Sequence, residues 1–291
     1  MISNEIPKIF NRQRLIKHRI RAAASFSAHD FLFREMAVSL CERLNYIKKS
    51  FPLALDMGAH NGFIAEILQN RGGIEKLIQS GVSEKLLRNA ANNVLVADEE
   101  LLPFAENSFD LVISVGSLHW VNDFAGTLVQ IQKSLKPDGL FLAIFFGGQT
   151  LKELRASFEK AEMQVRGGVS PRISPFIDVQ TGGSLLQRAG FALPVVDSEI
   201  LNVEYTHPLK LMKELRGMGE SNCLYDSEKS FTPCSLMMLA VDNYLRDFSN
   251  EEGRINASFE LITLTGWKPH ESQQKSARRG SGQIPFGQIM S

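Results

Sequence analysis

The sequence predicts an α/β protein: a mostly parallel sheet of seven strands with an antiparallel last strand and a helical lid. Three observations predict it. Over the first half of the chain, short apolar runs alternate with helical periods, the pattern of strands joined by crossover helices. Some of these runs are apolar throughout, as strands covered on both faces are. In the second half, two longer strand candidates are separated by helical segments alone, so they can pair with each other at the edge of the sheet.

Taken in order, residues 1–50 read as an N-terminal helical segment. Lys8, Arg12, Arg14, Lys17, Arg19 and Arg21 form a basic, acid-poor stretch of the kind found in organelle transit peptides. Yet Ile9, Leu15, Ile16 and Ile20 fall on one face of a helix, and the pattern continues through Phe31, Leu32 and Met36. No small-residue cleavage site follows, so a folded helix is the expectation.

Pro52-Leu53-Ala54-Leu55-Asp56 reads as the first buried strand, ending in a glycine-containing turn. A helix from Phe63 to Asn70 is stopped by Arg71-Gly72-Gly73. Lys76 to Gln79 is the second strand, followed by a helix through Leu86, Leu87 and Ala90. Asn93 to Ala97 is a short third strand, and Phe109 to Ser114 a central fourth. The amphipathic helix Phe124–Leu135 ends at Lys136-Pro137-Asp138-Gly139, ahead of a fifth strand from Leu140 to Phe146.

A helix from Thr150 to Val165, an irregular loop from Gly167 to Pro175 and a helix to about Ala189 come next. Val195–Tyr205 and Ile255–Thr265 are the last two strands. Between them Leu209–Arg216 and Leu236–Phe248, with Met237 and Met238 in the lid core, form an insertion at about 206–250. The main domain therefore spans 51–267. Residues 268–291, rich in Ser, Gln, Arg and Gly and including Arg278-Arg279, read as a poorly packed tail.

Composition narrows the function classes. A hydrophobic fraction of 44% and a charged fraction of 22% are ordinary for a globular protein. Formal net charge is zero, so no global field draws the chain to nucleic acid. Cys41, Cys223 and Cys234 are widely spaced, with no metal-ligand pattern, and point to a reducing, cytoplasmic setting. No apolar run has the length of a membrane span.

In open α/β sheets, ligands bind at the carboxyl ends of the strands, where the strand order reverses. Asp56-x-Gly58-x-His60-x-Gly62 occupies such a place, and its glycines let the backbone approach a ligand. That turn by itself suits NAD or FAD equally well. Ala97-Asp98-Glu99-Glu100-Leu101-Leu102-Pro103-Phe104 adds acids at the end of the third strand, where a carboxylate can accept from an exocyclic amine. Asn107 to Ser114, Leu118-His119-Trp120-Val121-Asn122-Asp123 and the Leu135–Gly139 turn follow in order.

This ordered set resembles the class I S-adenosylmethionine-dependent methyltransferases of the type 11 branch, over roughly residues 50 to 146. Their Rossmann-like sheet has the strand pattern read above. Arg19-Ile20-Arg21-Ala22-Ala23, Leu215-Arg216-Gly217-Met218-Gly219-Glu220-Ser221-Asn222, Ala257-Ser258-Phe259-Glu260, Thr265-Gly266-Trp267 and Ser272-Gln273-Gln274-Lys275 extend the likeness over nearly the whole chain. They resemble the family of the mitochondrial complex I assembly factor known as an arginine hydroxylase. The malonyl-carrier-protein O-methyltransferases are more distantly similar.

The resemblance implies S-adenosyl-L-methionine as cofactor, with Asp56, Gly58 and Gly62 at its methionine end and Asp98 and Glu99 facing the adenine. Ser114 to Gly116 would border the site beneath the sulfonium. His119 and Trp120, near its reactive face, are the candidate catalytic residues. Two departures stand out. His60 replaces a second glycine, and Gly81 replaces the acid that grips the ribose hydroxyls, a loss of about 1–3 kcal/mol. Glu84 is the candidate substitute.

Each residue also has a plainer reading. His119 is a base or polar contact, or it packs beside Trp120; Trp120 itself reads first as packing. Asp123 reads as a helix N-cap. Glu220 is a substrate contact or a solvated loop acid. Methyl transfer from a sulfonium is an in-line displacement served by proximity and a closing lid, and no metal site is implied. Three functions follow: a methyltransferase acting on a protein or carrier-linked acceptor; an arginine hydroxylase and assembly factor for respiratory complex I, peripherally associated with that membrane complex; or a non-catalytic binding protein on the same fold.

Overall fold

The computed structural model describes residues 8–90, 93–228 and 230–274. Its strands are β1 (Leu53–Met57), β2 (Lys76–Gly81), β3 (Val94–Val96), β4 (Phe109–Val115), β5 (Leu135–Phe146), β6 (Ala192–Tyr205) and β7 (Ile255–Trp267). They form one sheet of seven, in the order β3-β2-β1-β4-β5-β7-β6. Pairs among β1 to β5 are parallel, and β7 runs antiparallel to both β5 and β6. Strand order reverses between β1 and β4, so the chain leaves these two ends in opposite directions and a crevice opens between them.

The helices are α1 (Arg12–Ala22), α2 (Phe31–Glu42), α3 (Phe63–Leu68), α4 (Glu84–Leu87), α5 (Phe124–Ser134), α6 (Lys152–Arg166), α7 (Val179–Arg188), α8 (Pro208–Gly217) and α9 (Cys234–Phe248). Alternation along β5 sorts them into two layers. Leu140, Leu142, Ile144 and Phe146 join the core shared with α2, α6, α8 and α9. Phe141, Ala143 and Phe145 join the core shared with α5 and α7. A fully buried side chain of this size contributes about 1.5–3 kcal/mol, and β5 presents such side chains on both faces. It is the strand against which the rest is assembled.

Four expectations are corrected. The N-terminal helical pattern is broken: α1 ends at Ala22, and a 3-10 turn at Phe26–Ala28 precedes α2. Its inner face carries Leu15, Arg19 and Ala22, whereas Ile9 and Ile20 are 43% and 41% exposed. That face lies over polar strand ends, where a cation finds partners that an isoleucine would not. Second, β5 begins at Leu135, and the Pro137–Gly139 kink is contained within it. The register jumps from Phe109↔Leu135 to Leu111↔Leu140, with Asp138 at a φ of 61°. Third, the chain after 268 is still packed: the Lys268 backbone amide donates to the Gly139 carbonyl (2.8 Å) and the Gln273 side-chain Nε2 to Asp138 Oδ1 (2.8 Å). Residues 275–291, with Arg278-Arg279, lie outside the described residues. Fourth, Met238 is 49% exposed, and only Met237 turns towards the lid core.

Among the described residues no helix is long and apolar enough to cross a membrane. No cluster of three or more His, Cys, Asp or Glu there could hold a metal ion.

Candidate active site

The turn after β1 is shaped by two left-handed glycines, Gly58 (φ 82°) and Gly62 (φ 84°). A Cβ on Gly58 would fall 2.2 Å from Ser117 Oγ, and one on Gly62 would fall 2.6 Å from Ala90 Cα. The Gly58 and Ala59 amides both donate to the Ser80 carbonyl at 2.8 Å, which clamps the turn to β2. Ser114 Oγ donates to the Met57 carbonyl (2.9 Å) and touches Ser117 Oγ (2.9 Å), so β4 braces the same turn.

Asp56 is fully buried at the end of β1. Gln79 donates to its Oδ2 at 2.9 Å, while Oδ1 is buried without a partner. Burial pushes the carboxyl up to about 7, against the smaller downward pull of the Gln79 bond. This site is short of one positive or donating group.

His60 has the positive φ (47°) of the glycine it replaces. Its ring stacks on Phe26 (5.4 Å, 13°) and packs on Phe33 (4.6 Å). Burial, then the neighbouring Arg19 charge, holds it well below the usual imidazole value, so it is neutral. Nε2 faces the Val115 carbonyl (3.1 Å) and carries the proton; Nδ1 therefore accepts from Arg19 Nη1 (2.9 Å). His60 is thus a structural member of the turn.

Helix α1 supplies two residues that the sequence reading missed as site members. Arg12 Nη2 donates to Asp98 Oδ1 (2.6 Å) and makes a closer bond to Glu99 Oε2. Burial works against the Arg12 charge, but Glu99 and Asp98 outweigh it and hold the guanidinium above its ordinary value. Arg19, 3% exposed, reaches from His60 to within 3.6 Å of Glu220 Oε1. The signal available in the sequence was positional: Arg19 lies on the Leu15–Ala22 face of the helix.

Glu220 comes from the loop after α8, where Gly219 (φ 80°) turns the chain inward. Its side chain is 4% exposed, which removes the solvated-loop reading. His119 Nε2 and Trp120 Nε1 meet its Oε2 at 2.8 Å and 2.7 Å, and Oε1 is buried without a hydrogen bond. The His119 and Trp120 rings are therefore tied to one carboxylate. Asp123, in contrast, caps α5 by accepting from the Gly126 amide (2.8 Å).

Beside Glu220 lies a cavity of about 320 Å3, lined by Trp120, Phe146, Phe158, Phe176 and Phe259 with Arg172 and Asn222. Its size is at the lower end for ligand sites, and helices α8 and α9 form its cover through Met212, Leu215 and Met237.

Comparison with known proteins now bears on these two spaces. The chain matches a family described as "Methyltransferase domain" over residues 55–143. It is 43% identical over 265 residues to the mitochondrial arginine-hydroxylase NDUFAF5 of Homo sapiens, covering 89% of this chain and 76% of that protein. The chain belongs to this family. It is 28% identical over 279 residues to malonyl-[acyl-carrier protein] O-methyltransferase 1 of Coxiella burnetii, covering 96% of each. The fold matches phosphoethanolamine N-methyltransferase 2 of Haemonchus contortus, solved with S-adenosylhomocysteine, at a TM-score of 0.53 and 18% identity, covering 91% of this chain and 61% of that one.

The cofactor of this family is S-adenosylmethionine, and the crevice after β1 and β4 carries polar groups at both ends. Asp56 Oδ1 is buried without a hydrogen-bond partner after β1, and the carboxylates of Asp98 and Glu99 after β3 both accept from Arg12. The middle is tighter. Glu84 does not replace the acid missing at Gly81: its side chain is 69% exposed and paired with Arg88. The space there, lined by Arg19, His60, Gly81 and Ser83, is about 10 Å3.

Proposed function

We propose that this protein uses S-adenosylmethionine to modify the guanidinium of an arginine side chain carried by a protein partner. Glu220 carries the reading. It borders an aromatic cavity, His119 and Trp120 fix its Oε2, and its Oε1 has no hydrogen bond. A guanidinium entering there gains charge-assisted bonds to the carboxylate and cation–π contact with the rings. The Arg19 guanidinium, 3.6 Å from the same oxygen, supports a site able to accommodate this group. A malonyl carboxylate, the acceptor of the Coxiella burnetii relative, would instead bring like charge against Glu220.

Within that reading Asp56, Gly58, Gly62 and Ser114 shape the methionine end, and Asp98 and Glu99 the adenine end. Bound S-adenosylmethionine supplies an electrophilic methyl group. On gaining that methyl group the guanidinium would shed a proton, and Glu220 Oε1 would be the acceptor for it. Insertion of oxygen into the same side chain, the activity in the human relative's name, is the second reading, favoured by the 43% identity. It would use the same anchor, and a respiratory-complex subunit is the partner that the sequence resemblance implies. The thiols Cys41, Cys223 and Cys234 are all free, which supports a reducing compartment, the cytoplasm or one like that of the mitochondrial relative.

Calorimetry tests the reading in two steps. S-adenosylmethionine should bind, and N-acetylagmatine, a guanidinium on a butyl chain capped by an acetamide, should bind to the wild type and weaken by about tenfold or more in Glu220→Gln. Absence of cofactor binding leaves only a non-catalytic protein, and an unchanged affinity in the variant removes Glu220 as the anchor. Mass spectrometry of arginine peptides incubated with the protein then separates a gained methyl from a gained oxygen.

A further inference from the structure

The acceptor cavity has a neighbour. On the outer side of the loop between α6 and α7 lies a second cavity of about 400 Å3, lined by Arg155 and Glu159 of α6 and by Val169, Pro171, Arg172 and Pro175. Phe158, Arg172 and Ile173 line both spaces, so a single layer of side chains separates them.

The guanidinium of Arg172 sits in that layer. Its Nε donates to Glu162 Oε1 (2.6 Å), its Nη1 donates to Thr232 Oγ1 (2.8 Å), and it stacks 5.2 Å over the Phe158 ring. Nη2 is buried with no hydrogen-bond partner, 3.6 Å from Glu228 Oε2. The loop that carries it is held down: the Ser170 amide (2.6 Å) and hydroxyl both donate to Glu162. Arg155, the other cation of the groove, reaches only the Gly148 and Ser174 carbonyls at 3.4–3.5 Å. Pro171 and Pro175 have no amide proton to offer a guest. The side-chain cations available to an incoming chain are these guanidiniums. At the edge Phe231, next to Thr232, is 99% exposed, an apolar side chain suited to covering a docked segment.

We propose that the outer groove seats the main chain of the acceptor polypeptide, and that Arg172 Nη2 donates to the main-chain carbonyl of the same residue whose side chain enters the inner cavity, the group that N-acetylagmatine lacks. This rests on the guanidinium reading of the inner cavity. Glu220 then reads the tip of the side chain and Arg172 its root, which selects a peptide-borne arginine over a free alkylguanidine.

The test is a matched pair of probes, Nα-acetyl-L-arginine N-methylamide and N-acetylagmatine, which share the guanidinium and differ in the group at the α-carbon. With S-adenosylhomocysteine present, the wild type should bind the methylamide on the order of tenfold more tightly. In Arg172→Gln that ratio should fall to about one, whatever common change the loss of a cation from the inner cavity's lining makes to both affinities. A loosened loop would weaken both probes together, so the ratio reads recognition and not folding. If Arg172→Gln does not fold because Glu162 is left unpaired, Glu162→Gln/Arg172→Gln gives the same ratio. Equal affinities in the wild type, or a ratio unchanged by the variant, overturn the role of Arg172 and leave the guanidinium reading standing. Failure of both probes to bind overturns both.

Discussion

Replacing Gly58 by alanine adds one methyl group where the chain has a φ of 82° and where the new Cβ would lie 2.2 Å from Ser117 Oγ and 2.3 Å from Ser117 Cβ. The left-handed backbone costs a residue with a Cβ about 1 kcal/mol more than glycine. The overlap adds about 1–3 kcal/mol, because Ser117 is 1% exposed and hydrogen-bonded to Ser114, with little room to withdraw. Gly58→Ala should therefore lose about 2–4 kcal/mol. The partner of the clash can be identified. Ser117→Ala keeps the offending Cβ and should rescue little, whereas Ser117→Gly removes it. Urea unfolding of the wild type, Gly58→Ala, Ser117→Gly and the double variant should show a favourable coupling of about 1–3 kcal/mol. Additivity within about 0.5 kcal/mol, or equal rescue by Ser117→Ala, would refute the steric origin and leave only the backbone term.

Two further predictions concern buried charge. Asp56 has its carboxyl raised from 3.8 to about 7 in the folded chain, so the folded state holds that proton more tightly than the unfolded one. Its contribution to stability is intact below pH 3.8 and is lost as pH rises towards 7. Asp56→Asn should flatten that decline and be the more stable protein at about pH 8; parallel pH profiles of unfolding would contradict this. Arg12→Met leaves Glu99, whose side chain is 2% exposed, without its cation, and should cost about 3 kcal/mol or more. Adding Glu99→Gln should recover much of that loss in thermal unfolding, and no recovery would place the cost elsewhere.

Much of this molecule was legible in the sequence. The alternation of apolar runs with helical periods marks β1 to β5, and the covered ones, β1, β4 and the second half of β5, are the most continuously apolar. Gly58 and Gly62 declare the turn, Asp98 and Glu99 stand in the loop after the third strand, and Asp123 announces the start of α5. These are local consequences of period, backbone freedom and capping. Tertiary structure alone decided which charges meet. Arg12 and Arg19 looked like a basic stretch of an N-terminal helix, and Glu220 like one acid in a glycine-flanked loop. Bringing Arg19 and Glu220, 201 positions apart, within 3.6 Å needs α1 and the lid to fold over the same strand ends. Pairing in a low-dielectric interior depends on that approach, and neither residue's sequence neighbours encode it. So the sequence determined the sheet and the crevice at its switch point, and the packing of α1 and the lid decided that Glu220, held by His119 and Trp120, borders the cavity beside it.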